Sequence, residues 1–338
     1  MFTLDKLAKG TLAAAMGLAF SVSALAADIT GAGATFPYAV YTKWAEAYQQ
    51  ATGNKVNYQG IGSSGGIKQV KAKTVDFGGT DAPMKEADLD ANKLIQFPAV
   101  MGGATIVVNL PGIKSGEVKL DGTTAANIFR GAITKWNDPA IAKLNPGVKL
   151  PNLAITVAHR SDGSGTTFVV TNYLAKQSLP FKRDVGAGTT VNWPANSVGG
   201  KGNPGVAANV QKIAGAIGYV DIADAMKNNM TFVALKNKAG NYIVPSQQAI
   251  ADAAAGADFK VRGMAPDLLD QTHKNAWPIT TATYILAYEK ADASKQKGVV
   301  DFFTWSLNNG QKMAEDLGFV ALPGNVVKMV EAEMKNIK

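Results

Sequence analysis

Residues 55–79 read KVNYQGIGSSGGIKQVKAKTVDFGG. A short alternating segment at 55–59 runs into glycines and serines, a helix candidate follows at 65–73, and Val75-Asp76-Phe77 leads into Gly78-Gly79. Strand, glycine-rich turn, helix, strand is a βαβ rhythm, and repeated it implies an α/β protein with a mostly parallel sheet flanked by helices. The rhythm also runs upstream. Tyr41, Trp44, Ala45 and Tyr48 fall at i, i+3, i+4 and i+7, and Gly53 stands where a helix ends, so a helix is expected over 37–51.

Downstream, residues 97–109 and 277–288 are two long β-rich segments, the first carrying Gly102-Gly103 and the second Pro278. They read as paired crossings between two lobes. On that reading lobe 1 comprises 27–104 plus 280–338 and lobe 2 comprises 105–279. Helices near 291–308 and 325–336 complete lobe 1; the second groups Val326, Met329 and Val330 on one face and ends near Lys335, where the helix dipole favours a cation. In the middle, 136–150 reads as loop and short helix, 153–158 as a strand, and 168–174 and 206–213 as helices. GGKGNPG at 199–205 reads as a loop between helical segments. No internal repeat is visible.

Residues 1–26 place Lys6 and Lys9 before an apolar stretch at 11–20 and then Ala24-Leu25-Ala26, the pattern of a cleaved export leader. The apolar stretch is too short for the ~20 residues a bilayer crossing needs. With no cysteine, the chain offers neither a lipid-attachment thiol, nor disulfides, nor thiolate metal ligands. The mature protein is expected to be soluble, exported to an oxidising space and held together by its cores alone. Cleavage removes two lysines and one aspartate and takes the net charge from +8 to +7. Lys43, Lys55, Lys68, Lys71, Lys73, Lys143 and Lys149 are scattered singly, which suits the steering of a small anion and disfavours nucleic acid as a partner.

Chemistry concentrates in three glycine-hydroxyl segments: GAGATF at 31–36, GIGSSGG at 60–66 and HRSDGSGTT at 159–167. Glycines let backbone N–H groups turn inward, hydroxyls add donors, and a helix starting near Thr166 would aim its positive end at the same point. Three such loops can converge on one anion. Arg160 supplies the formal charge and Asp162 could hold it; the plainer alternative is a surface pair worth ~0–1 kcal/mol. Ser63, Ser164 and Thr166 taken singly read as caps or turn residues. Asp81 follows Gly78-Gly79-Thr80 and could be an ordinary N-cap. An ionised carboxylate only accepts hydrogen bonds, however, so in an anion site it fits a ligand that carries its own proton and rejects one that does not. Phosphate carries one and sulfate does not.

Other motifs carry less. Gly60-x-Gly62-x-x-Gly65 with Asp81 16 residues on matches a dinucleotide fingerprint, but the strand before it alternates where that fold needs a doubly buried one. Gly62-x-Ser64-x-Gly66 matches a nucleophile elbow, yet His159 and His273 are the only histidines and neither sits in a promising context. A phosphate-ester hydrolase using Ser63 or Ser64 would need a base that only Asp81 supplies. No glycine-lysine-serine/threonine run follows these glycines, which excludes a P-loop.

The stretches TGAGATFP at 30, NKVNYQGIGSSGGIKQV at 54, DFGGTDAP at 76, ITKWNDPAIAKLNPG at 133, RSDGSGTT at 160, GGKGNPGVAANVQ at 199, GAIGYV at 215 and AWPIT at 276 together resemble the periplasmic phosphate-binding proteins of high-affinity phosphate ABC transporters. The resemblance spans essentially the whole mature chain. It implies a two-lobed, venus-flytrap fold of the class II binding-protein type that holds one phosphate between its lobes. It implies no catalysis and neither metal nor cofactor, a monomer, and delivery of the phosphate to membrane permease subunits. The phosphate ligands it implies are Thr35, Phe36, Ser63, Asp81, Arg160, Ser164, Gly165 and Thr166, with Asp162 pairing Arg160. Thr80, where the family also uses serine, and His159 are mild departures outside this ligand set.

Overall fold

The computed structural model describes residues 28–338, so the leader expected at 1–26 lies outside the described residues. The chain begins β1 (Ile29–Gly33), α1 (Tyr38–Thr52), β2 (Val56–Gly60), α2 (Ser63–Lys71), β3 (Phe77–Thr80), α3 (Glu86–Asn92) and β4 (Leu94–Val108). The middle holds β5 (Lys119–Leu120), α4 (Gly122–Phe129), α5 (Pro139–Leu144), β6 (Thr156–Arg160), α6 (Gly165–Gln177), α7 (Leu179–Asp184), β7 (Ser197–Gly200), α8 (Gly202–Lys212), β8 (Ala216–Asp221) and α9 (Ile222–Lys227). There follow β9 (Thr231–Phe232), β10 (Ala234–Lys236), β11 (Tyr242–Ile243), α10 (Gln247–Ala254), β12 (Thr280–Tyr288), α11 (Ala293–Asn309), α12 (Gln311–Asp316) and α13 (Gly324–Met334).

Nine strands form one sheet in the order β2-β1-β3-β12-β4-β8-β6-β7, with β9 also on β4; β11-β10-β5 form a small second sheet. The flanks are parallel, β1 with β2 and β3, and β6 with β7 and β8. The centre departs from the mostly parallel sheet expected: β12 pairs antiparallel with both β3 and β4, and β4 antiparallel with β8. β4 and β12 are buried along their whole length, which is why both read as continuous apolar runs. β2, at the edge, has one half-exposed and one exposed face, and its sequence alternates accordingly.

Local signals explain most elements. Val40, Tyr41, Trp44 and Tyr48 are the buried stripe of α1, and Gly53 ends it in the left-handed conformation. The stripe packs edge-on against α11 through Tyr48–Phe302 and Tyr41–Phe303, and Trp44 Nε1 donates to the Gly310 carbonyl at 2.8 Å. The loop expected at 199–205 is instead the end of β7 and the first turn of α8. A side chain on Gly200 would lie 2.4 Å from Gly205 backbone, so these glycines mark a close strand-to-helix crossing, and Pro204 is tolerated in the first helical turn.

Two large apolar cores flank the central strands. One gathers Ile29, Phe36, Tyr41, Trp44, Phe77, Phe97 and Met101 with Ala282, Ile285, Phe302, Phe319 and Val330; the other gathers Ala104, Ile106, Phe129, Trp136, Val170, Tyr219, Trp277 and Ile279. Ala254, Phe259, Met264 and Leu268 join the first core. Membership changes between Met101 and Ala104 on β4. Gly102 and Gly103 stand at that point because a Cβ on Gly102 would come within 2.8 Å of the Phe36 ring, and one on Gly103 within 2.9 Å of Trp277. Gly102→Val is therefore expected to lower stability by ~1–3 kcal/mol through overpacking, read as a reduced urea midpoint at unchanged m-value.

Candidate functional site

The turns after β1, β2 and β3 are tied together by backbone. Ala34 N–H donates to Gly79 O at 2.9 Å, and Ile61 and Gly62 N–H both donate to Gly33 O at 2.9 Å. The β6–α6 turn closes over them, with Ser64 N–H donating to Gly163 O at 3.1 Å. Gly62 has φ +87°, and a Cβ there would sit 2.3 Å from Asp162 Oδ2, so only glycine lets the two turns approach this closely. α2 begins at Ser63, two residues before the start expected, and α6 begins at Gly165 with Ser164 as its cap, its Oγ accepting from Thr167 N–H at 3.0 Å. The first N–H groups of both helices have no partner within their helix, and both helix ends carry partial positive charge. Ser164 thus serves as a cap and still has its hydroxyl proton to donate. Outside any element, the Thr35 and Phe36 N–H groups make no hydrogen bond among the described residues.

Arg160, the last residue of β6, is 4% exposed. Its Nε donates to Asp162 Oδ1 at 2.8 Å, Nη2 to Asp162 Oδ2 at 2.5 Å and Nη1 to Asn203 Oδ1 at 2.7 Å. A guanidinium has five N–H donors, so one on each Nη remains for a ligand. Burial would push the Asp162 carboxyl up, but its bonds to Arg160 and to Gly202 N–H hold it below the usual carboxylate range. Asp162 is therefore the counter-ion of Arg160 inside the fold, not a surface partner.

Asp81 is 1% exposed and not a helix cap: α3 starts at Glu86 with Lys85 before it. The Thr80 hydroxyl shapes the turn by bonding both the N–H and the carbonyl of Ala82. Asp81 N–H donates to Ser63 Oγ at 3.2 Å, and Cβ built on Gly165 would lie 2.4 Å from Ser63 Oγ and 2.5 Å from Asp81 Oδ2. Ser63, Asp81 and Gly165 are thus in direct contact. Asp81 Oδ1 and Thr166 Oγ1 are buried with no hydrogen-bond partner among the described residues. Burial pushes the Asp81 carboxyl up to about 7, with Thr283, Arg160 and Ser63 opposing the rise.

Direct contacts tie Ser63, Asp81 and Gly165 together and link Arg160 to Thr35 through Asn203; Ser164 and Thr166 flank Gly165 in the chain, and Phe36 follows Thr35. Sequence reasoning missed Asn203 and Thr283. Asn203 lies 43 residues from the arginine it contacts, and only the GGKGNPG composition pointed toward it. Thr283 is fully buried at a break in the β4–β12 register, the kind of irregularity that re-aims a side chain, and its Oγ1 also lacks a partner. The histidines are occupied elsewhere: His159 stacks on Trp193 with Nδ1 against its neighbour's carbonyl, and His273 lies 3.6 Å from Asp252. Among the described residues no cluster of three metal-ligating side chains occurs.

Residues 19–309 match the family model described as the PBP superfamily domain. The chain is 50% identical over 318 residues to the phosphate-binding protein PstS of Pasteurella multocida, covering 94% of this chain and 92% of that one. Among solved structures it resembles the phosphate-binding protein of Stenotrophomonas maltophilia, with TM-score 0.71 and 21% identity over 91% of this chain and 94% of the other. It also resembles an ABC-type phosphate transport receptor from Vibrio cholerae, with TM-score 0.59 and 19% identity over 88% of this chain and all of the other. These two likenesses concern the fold.

The raised Asp81 carboxyl has a measurable sign. Between the unfolded value of 3.8 and about 7, the native state holds a proton that the unfolded chain releases, so stability falls as pH rises through that window. In anion-free buffer Asp81→Asn is expected to be more stable than wild type by roughly 2–4 kcal/mol at pH 8, with the difference shrinking toward pH 4. Urea titrations at the two pH values check this, and a difference independent of pH would contradict it.

Proposed function

Because this chain belongs to the PstS phosphate-binding protein family of the PBP superfamily, we propose that it binds one inorganic phosphate in the cradle around Arg160 and Asp81, without turnover. Donors come from the Thr35 and Phe36 N–H groups, the Ser63, Ser164 and Thr166 hydroxyls, the N–H groups at the start of α6, and the two remaining guanidinium protons. The single observation that carries the reading is Asp81: its carboxylate is buried, with Oδ2 beside Gly165 and Ser63 and Oδ1 without a hydrogen-bond partner among the described residues, inside a site otherwise made of donors. An acceptor there suits a ligand with its own O–H, so phosphate is taken and fully ionised sulfate is refused. Each charge-assisted bond contributes about 1.5–3 kcal/mol, and a micromolar site needs only about 8 kcal/mol, so many donors suffice without a metal.

Two lobes meet at this cradle in the proposed arrangement, 27–104 with 280–338 and 105–279, joined through β4 and β12. The exchange of core membership near Gly102 and again between Ile279 and Ala282 supports it, whereas Ala223 and the 254–268 segment, inside the 105–279 bounds, pack on the first core. The leader-like N-terminus, the family and the resemblance to a transport receptor support a periplasmic protein that hands phosphate to membrane permease subunits. An ester hydrolase is not favoured, because both histidines are engaged away from Ser63 and Ser64.

Calorimetric titration tests the reading. Wild type is expected to take up phosphate one to one and to give no heat with sulfate; Asp81→Asn is expected to narrow that discrimination. Arg160→Ala, losing two charge-assisted bonds and leaving Asp162 uncompensated, should weaken phosphate binding by at least about 100-fold. No phosphate uptake by wild type would overturn the proposal.

A further inference from the structure

Asn203 occupies a position of unusual constraint. Its side chain is wholly buried at the start of α8. The carboxamide oxygen accepts from Arg160 Nη1 at 2.7 Å, the carboxamide nitrogen donates to Asp221 Oδ2 at 2.6 Å, and the main-chain N–H donates to Thr35 Oγ1 at 3.2 Å. Arginine can only donate, so the amide oxygen must face it. That leaves the amide nitrogen for Asp221, whose other oxygen accepts from Asp224 N–H at 2.9 Å. The amide therefore has one satisfactory orientation. With Asp162 gripping the Nε edge of the guanidinium and Asn203 gripping Nη1, the plane of Arg160 is fixed from two sides.

The third contact does something different. Thr35 follows β1 and precedes α1, whereas Asn203 and Arg160 belong to α8 and β6 on the far side of the central strands. When the Asn203 N–H occupies a lone pair of Thr35 Oγ1, the threonine hydroxyl proton remains to be donated elsewhere. We propose that Asn203 is a positioning residue for phosphate: it holds the Arg160 guanidinium in its binding orientation and, in the same contact set, docks and orients Thr35 from the opposite half of the sheet. Fixing the main positive charge and bringing the two halves together are then one event. The proposal rests on the reading that the cradle takes phosphate.

The test is a double-mutant cycle read by phosphate titration of the mature protein as wild type, Asn203→Ala, Arg160→Lys and the double variant. Alone, Asn203→Ala is expected to weaken phosphate about 10- to 100-fold. In the Arg160→Lys background, where the fork that Asn203 holds is gone, the same change should cost less than about threefold. Losses that simply multiply would overturn the positioning role, since a merely structural residue acts independently of what occupies position 160. Urea midpoints of all four proteins monitor folding; if Asn203→Ala does not fold, the cycle is run with Asn203→Ser. Wild type that binds no phosphate would sink the functional reading and this proposal together, whereas multiplying losses in proteins that do bind would sink this one alone.

Discussion

Two opposite charges are buried in the same small region, and the surrounding architecture follows from the need to keep each tolerable without letting them cancel. Arg160 is compensated by Asp162 and Asn203; Asp81 touches Ser63 and Gly165 and retains an oxygen with no partner. A buried ion pair between them would satisfy both and leave nothing for a ligand. Burying the Asp81 carboxyl costs stability in the empty protein, as its raised pKa shows, and in the proposed complex the anion would offset that cost by donating to Asp81 and accepting from Arg160.

This separation depends on backbone approaching backbone more closely than any side chain allows. Gly62 meets Asp162, and Gly165 meets Ser63 and Asp81, at distances a Cβ would obstruct. The same closeness brings the beginnings of α2 and α6 together, where Ser63 meets Gly165, so the positive ends of two helix dipoles lie near the buried Arg160. A site rich in lysine would have been stronger in charge and poorer in directional selectivity, because an ammonium is a point charge with freely turning donors.

How much of this could be read from the chain depended on whether the signal was local. α1 announced itself through Tyr41, Trp44, Tyr48 and Gly53, since burial period and helix stop both lie within one stretch. β4 and β12 were visible as long apolar runs, but their antiparallel pairing was not, because strand direction is set by partners some 180 residues away. The glycine-hydroxyl turns were visible for the same local reason as α1. Asn203 and Thr283 were not: one owes its place to a contact with Arg160 across 43 residues, the other to a break in register on a buried strand. The loop expected at 199–205 was misleading because it was judged on composition, whereas Gly200 packs on Gly205; the helix-cap alternative for Asp81 fails because α3 starts only at Glu86.

The distribution of the two cores along the chain bears on the order in which the protein is made. The second core is assembled almost entirely from the contiguous stretch between Ala104 and Ile279, so its contacts become available together during synthesis or export. The first core joins Ile29 through Met101 to residues from Ala254 to Leu268 and from Ala282 through Met334, so α1 waits for α11 before Tyr41 and Tyr48 can be covered. Until β12 and α11 emerge, the apolar stripe of α1 and the facing edges of β3 and β4 stand exposed, which is the situation that holdase chaperones relieve. Splitting a core between the two chain ends thus makes the covering of α1 depend on residues that are made last.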